Sequence, residues 1–141
     1  MSSKVRFPDL TDEERAAVCN GCGPKGAFAT VTIWLVVIEW TISLRIKPPG
    51  WLFKASCDWH DFNYWLGGTE LDRARADLQF YLAMRDDAKG TAWWYPTWLA
   101  TFRAWVYYKA VSIGGRSSFH YGATRTRADL DREVERQRLA A

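Results

Sequence analysis

The stretch Cys57-Asp58-Trp59-His60-Asp61-Phe62-Asn63-Tyr64, followed by Gly67-Gly68-Thr69-Glu70-Leu71-Asp72, decides how this chain is read. At about 100° per residue from a helix start near Trp51, Phe53, Cys57, His60 and Tyr64 fall on one stripe, with Asp61 one step around from it. His60 and Tyr64 therefore address the same pocket. Lys47-Pro48-Pro49-Gly50 stops whatever precedes this helix, because two prolines remove backbone donors and the glycine releases the turn. Gly67-Gly68 predicts a left-handed helix end, and Thr69 with Asp72 three residues later predicts a capping box that opens a second helix. So short a loop makes the two helices antiparallel.

On the second helix Leu71, Ala74, Leu78, Tyr81 and Met84 are the predicted apolar arc. Asp77 lies inside it, whereas Asp72 falls on the polar side. A carboxylate among apolar neighbours is costly without a donor, so Asp77 is expected to face one, and His60 across the hairpin is the candidate. Upstream, Cys19-Asn20-Gly21-Cys22-Gly23-Pro24-Lys25-Gly26 is a loop in which Gly21, Gly23 and Gly26 permit sharp turns. Such turns let backbone carbonyls converge on a hard cation. Singly, these residues have plainer readings: His60 as a hydrogen-bonded core histidine, Asp61 as a solvated helix residue, Cys57 as a small core residue. Together they suit metal-assisted hydrolysis.

With 141 residues, the chain is expected to form one domain, its core at 19–122 and a charged C-terminal helix or tail at 123–141. A net charge of +3 is too mild to argue for nucleic acid. Nine tryptophans are unusual for this length. The cluster Trp93, Trp94, Tyr95, Trp98, Phe102, Trp105, Tyr107, Tyr108 exceeds what one helix stripe needs. Part of it is expected at a membrane headgroup layer, with Arg103 and Lys109 toward phosphate. The apolar run Thr30 to Ile46 is shorter than the roughly 20 residues of a membrane span and carries Glu39 and Arg45. Its alternation at Trp40, Ile42, Leu44 and Ile46 is that of a strand, and a buried helix fits the same run. Met1 to Leu10 lacks the apolar core of a secretory signal. Ile113-Gly114-Gly115-Arg116 and His120 read as loop. From Arg125 to Leu139, Leu130, Val134 and Leu139 stand in poor register, which predicts a solvated or frayed helix.

The run Cys22-Gly23-Pro24-Lys25-Gly26, then Cys57-x-x-His60-Asp61-x-x-Tyr64, Gly67-Gly68-Thr69-x-x-Asp72 and Ala76-Asp77-x-x-Phe80, resembles the phospholipase A2 superfamily in its short bacterial, fungal or viral form. The likeness covers roughly residues 19 to 88. It implies a mainly α fold around a catalytic helix hairpin, with Thr30 to Ile46 as an inserted strand or helix segment. It also implies Ca2+-dependent hydrolysis of a fatty-acyl ester of glycerophospholipids at a membrane surface. His60 would be the general base, Asp77 would hold its other ring nitrogen, and Tyr64 would fix Asp77. Asp61 would bind Ca2+ with the carbonyls of Gly21, Gly23 and Lys25, and the Gly23 amide would meet the oxyanion. A Cys22 to Cys57 disulfide would tie loop to helix and leave Cys19 unpaired. The chain departs from secreted members in its longer stretch before His60 and in its few cysteines.

Two other readings compete. Cys19-x-x-Cys22 with Cys57-x-x-His60 makes a Cys₃His zinc set, which would turn the protein into a binding module but leave Asp61, Tyr64 and Asp77 unexplained. A relative of the same fold that binds lipid or a partner without turnover is the other. Three cysteines fit a reducing compartment, so an intracellular or virion-associated protein, peripheral to membranes, is expected. The expected partner is a phospholipid surface; the sequence names no protein partner.

Overall fold

The computed structural model describes residues 5–19 and 49–141. The expected loop ligands Gly21, Gly23 and Lys25, together with Cys22 and the Thr30 to Ile46 segment, lie outside the described residues. Within them the chain is mainly α. Helices α1 (Asp12–Val18), α2 (Lys54–Leu66), α3 (Glu70–Asp87), α4 (Thr97–Gly114) and α5 (Arg127–Ala140) are joined by short turns. Among the described residues there is no strand, only an isolated parallel bridge between Gly68 and Tyr121.

Helix α2 begins three residues later than the sequence predicts. No side chain caps it, and residues 50–53 form a turn in which the Lys54 amide reaches the Trp51 carbonyl at 3.3 Å. Helix α3 opens on the capping box predicted at Thr69, whose amide donates to Asp72 Oδ2 at 2.8 Å. As contacts move back along α2 from Tyr64 to His60 to Ser56, their partners on α3 climb from Asp77 to Phe80 to Asp87. The two helices therefore run antiparallel.

The turn between them differs from the left-handed cap expected. Gly67 has φ 74° and ψ −164°, an extended positive-φ conformation that is essentially confined to glycine. The cause is a second segment closing on the turn. A Cβ at Gly67 would lie 2.1 Å from the His120 carbonyl oxygen. That oxygen accepts from the Gly68 amide at 2.9 Å, while the amides of His120 and Arg125 donate to the Tyr64 and Leu66 carbonyls at 3.2 and 2.9 Å. The carbonyls that any helix leaves unpaired at its C-terminus are thus met by residues 120–125.

Helix α4 covers the hairpin, its Leu99, Ala100 and Ala104 packing with Phe53, Cys57, Phe80, Met84 and Tyr95. Alanines here let the backbones approach closely. On α3 the buried arc is Arg73, Ala76, Asp77, Phe80 and Met84, while Leu71, Ala74 and Leu78 are exposed. The predicted arc is rotated because two charged residues, Arg73 and Asp77, occupy the inward face and satisfy each other. The expected loop at 113–116 is instead the end of α4 and a 3₁₀ turn, Gly115–Ser117.

The C-terminal helix also departs from expectation. Leu130 is fully buried and Val134 nearly so, one turn apart, against Val5, Leu10, Ala17, Val18 and Phe62. Only Leu139 is exposed. Arg127 pairs with Glu14, Arg138 Nε with Glu13 at 2.6 Å, and Gln137 Nε2 donates to the Ala17 carbonyl at 2.7 Å. The region 123–141 is therefore part of the packed domain, since two correctly spaced apolar residues suffice when charged neighbours find partners. No described helix is long and apolar enough to cross a membrane.

Leu130→Ala is expected to cost about 2–5 kcal/mol, as a fully buried leucine does. Urea unfolding measures it; a loss within about 0.5 kcal/mol, the range of surface substitutions, would return the tail to solvent.

Candidate active site

The α2 stripe read from the sequence is the buried face of the helix: Phe53, Cys57, His60 and Tyr64 are all buried. Opposite them on α3, Asp77 collects three donors. His60 Nε2 lies 2.9 Å from Asp77 Oδ1, the Tyr64 hydroxyl donates to the same oxygen at 2.6 Å, and Arg73 Nη1 donates to Oδ2 at 3.1 Å. Facing a carboxylate, Nε2 is the proton-bearing nitrogen, which leaves the Nδ1 lone pair to accept a proton. Phe80 stacks on the imidazole with centroids 4.4 Å apart, and the Tyr64 ring leans on it at 4.2 Å. The ring is thereby fixed in plane as well as in tautomer.

Tyr64 is itself held from outside the hairpin. Phe119 meets its ring edge-on at 5.2 Å, and a Cβ at Gly115 would come within 2.2 Å of its hydroxyl oxygen. Burial first, and then the hydrogen bond to Asp77, push the phenol well above its ordinary range, so it remains a donor.

Arg73 was not among the candidates from sequence. Its guanidinium is buried between Asp77 and the half-exposed Glu70, donating to Glu70 Oε1 at 2.6 Å. Glu70 also accepts from the Tyr121 hydroxyl at 2.6 Å and from Arg116 at 3.3 Å. The hydrogen bond from Arg73, then that from Tyr121, hold the Glu70 carboxyl at about 2. The signal was legible as an arginine four residues before an inward aspartate, a spacing that places both on one face.

Asp61 is turned away from this network and is partly exposed. Its surroundings are marked by Cys19, whose thiol donates to the Asp58 carbonyl at 3.2 Å. That thiol is pushed up to about 12 by burial, and further by the negative fields of Asp58 and Asp61. Cys19, which precedes the glycine-rich loop in sequence, thus sits at the edge of α2 that carries Asp58 and Asp61. Among the described residues no group of three or more His, Cys, Asp or Glu side chains gathers to hold a metal.

The zinc set is not assembled. Cys57 is disulfide-bonded, Cys19 is a free thiol held protonated, and His60 Nε2 is committed to Asp77. Zinc requires thiolates. A disulfide at Cys57 also removes the ground for reading the cysteines as signs of a reducing compartment. Of the residues singled out in the sequence, His60, Tyr64 and Asp77 are brought into contact; His120 serves through its backbone at the 67–68 turn. Compared with protein-family models, with curated proteins and with solved structures, the chain matches none.

Arg73→Met leaves Asp77 buried without its counter-charge and is expected to cost about 3–5 kcal/mol in urea unfolding. A loss under about 1 kcal/mol would place the ion pair in solvent. Glu70 gives a pH test. Its folded carboxyl lies below the ordinary 4.5, so its contacts stabilise the fold above that value and are lost as the pH falls toward about 2. The thermal midpoint of the native chain should exceed that of Glu70→Gln near neutrality and converge with it in acid; a gap independent of pH would contradict this.

Proposed function

We propose that this chain is a Ca2+-dependent hydrolase of phospholipase A2 type, cleaving a fatty-acyl ester of glycerophospholipids at a membrane surface. The observation that carries the proposal is the buried contact of His60, Tyr64 and Asp77 across an antiparallel helix hairpin, with Asp61 partly exposed near Cys19, the residue that precedes the glycine loop in sequence. It supplies an oriented base and a separate carboxylate for a cation from adjacent positions of one helix.

In the proposed reaction His60 Nδ1 takes a proton from water as the water oxygen bonds to the ester carbonyl carbon. The imidazolium that forms is countered by Asp77, 2.9 Å from Nε2. Tyr64 and Arg73 hold the two Asp77 oxygens, so the carboxylate does not turn as charge appears beside it. As the tetrahedral carbon collapses, His60 returns the proton to the departing glycerol oxygen. One water is consumed, and a fatty acid and a lysophospholipid are released. Ca2+ bound by Asp61 and the carbonyls of Gly21, Gly23 and Lys25 would supply positive charge for the ester's carbonyl oxygen. The Gly23 amide would donate to the same oxygen. With one carboxylate among carbonyls, binding is expected toward the weak end of protein Ca2+ sites, about 10⁻⁶ to 10⁻³ M.

Fatty-acid release from phospholipid vesicles tests the reading. Turnover is expected with Ca2+, should stop on adding EGTA, and should fall about 10²–10⁴-fold in His60→Ala. Hydrolysis that survives chelation or loss of the imidazole would sink the mechanism.

A further inference from the structure

The inner face of α4 is spent on the hairpin, but its outer face is not. Trp98, Thr101, Phe102, Trp105, Lys109 and Ile113 recur at helical spacing along one side, and Trp98 and Ile113 are 63% and 61% exposed. Trp93, five residues before Trp98 in sequence, is 96% exposed. Phe102 and Trp105 stack at 6.1 Å, and the Lys109 ammonium lies 5.9 Å from the Trp105 ring and 5.7 Å from that of Tyr108. Arg103, expected here from sequence, is instead buried over Tyr95.

Charge selects the occupant. Of the charged residues from Ala88 to Ala128, all basic, Lys109 is the one on this face: Lys89, Arg116 and Arg127 pair with Asp86, Glu70 and Glu14, Arg103 is buried, and Arg125 lies over Trp65. Were a second copy of this chain to cover the face with its own, Lys109 would be desolvated with no carboxylate opposite, a costly arrangement. A layer of phosphate headgroups over acyl chains meets both requirements: indole bodies reach the acyl boundary and the lysine meets phosphate.

We infer that α4 lies flat on an anionic phospholipid surface, docking through Trp93, Trp98, Phe102, Trp105 and Ile113 with Lys109 at the phosphate level. This deepens the hydrolase reading by naming the face turned to lipid, and it is tested without catalysis. Sedimentation in EGTA with vesicles of equimolar phosphatidylcholine and phosphatidylserine should show binding, and tryptophan emission should shift to the blue. The double substitution Trp98→Ser and Trp105→Ser, at exposed positions, should weaken binding about tenfold or more. Lys109→Glu should remove the preference over pure phosphatidylcholine, and His60→Ala should bind as the native chain does. No vesicle binding, equal binding by the Trp variant when circular dichroism shows it folded, or a dimer that the same substitutions dissolve would overturn the inference. Binding without hydrolysis keeps the face and rejects the hydrolase. Hydrolysis of a soluble short-chain ester without vesicle binding does the reverse.

Discussion

A carboxylate only 2% exposed inside a helical hairpin is tolerable when both of its oxygens meet donors. Asp77 sets that condition, and His60, Tyr64 and Arg73 meet it from two helices. The register of α2 against α3 follows, because sliding either helix by a turn would part Asp77 from two of its partners. The same requirement draws in more remote residues. Tyr64 reaches Asp77 only if Gly115 lacks a side chain, and Arg73 is aimed from its other side by Glu70. The end of α4 and the 120–125 segment thus close on the hairpin at the level of the network.

This closure stiffens the hairpin around the imidazole. An imidazole between Phe80 and Tyr64, with one nitrogen held, has little freedom to change tautomer or tilt. Asp61, one residue away, is partly exposed and lies close enough to Cys19 for its charge to act on that thiol. Adjacent residues are thereby turned to different surroundings by about 100° of helix rotation, the angle between successive residues.

Much of the hairpin was legible in the sequence because its signals are local. Helix periodicity placed Phe53, Cys57, His60 and Tyr64 together, and Thr69 with Asp72 marked the start of α3. Asp77 stood out as a charge in an apolar setting. What was missed depends on pairing across distance. The inward Arg73 looks like a surface residue until Asp77 and Glu70 are known to bracket it, so the α3 arc came out rotated. Leu130 and Val134 looked too few to bury a helix, since their partners Val5, Leu10 and Phe62 lie more than sixty residues away. The Gly67 conformation could not be foreseen, as it depends on the His120 carbonyl arriving from the far end of the chain.

Asp77 fixes His60 with its proton on Nε2 and its lone pair on Nδ1. Nitrogen-15 NMR of the imidazole reads this directly through long-range couplings to the ring protons. The native chain near neutral pH should show the Nε2–H tautomer, and Asp77→Leu should lose that preference. A native His60 protonated on Nδ1 instead, or a tautomer unchanged by Asp77→Leu, would contradict the account.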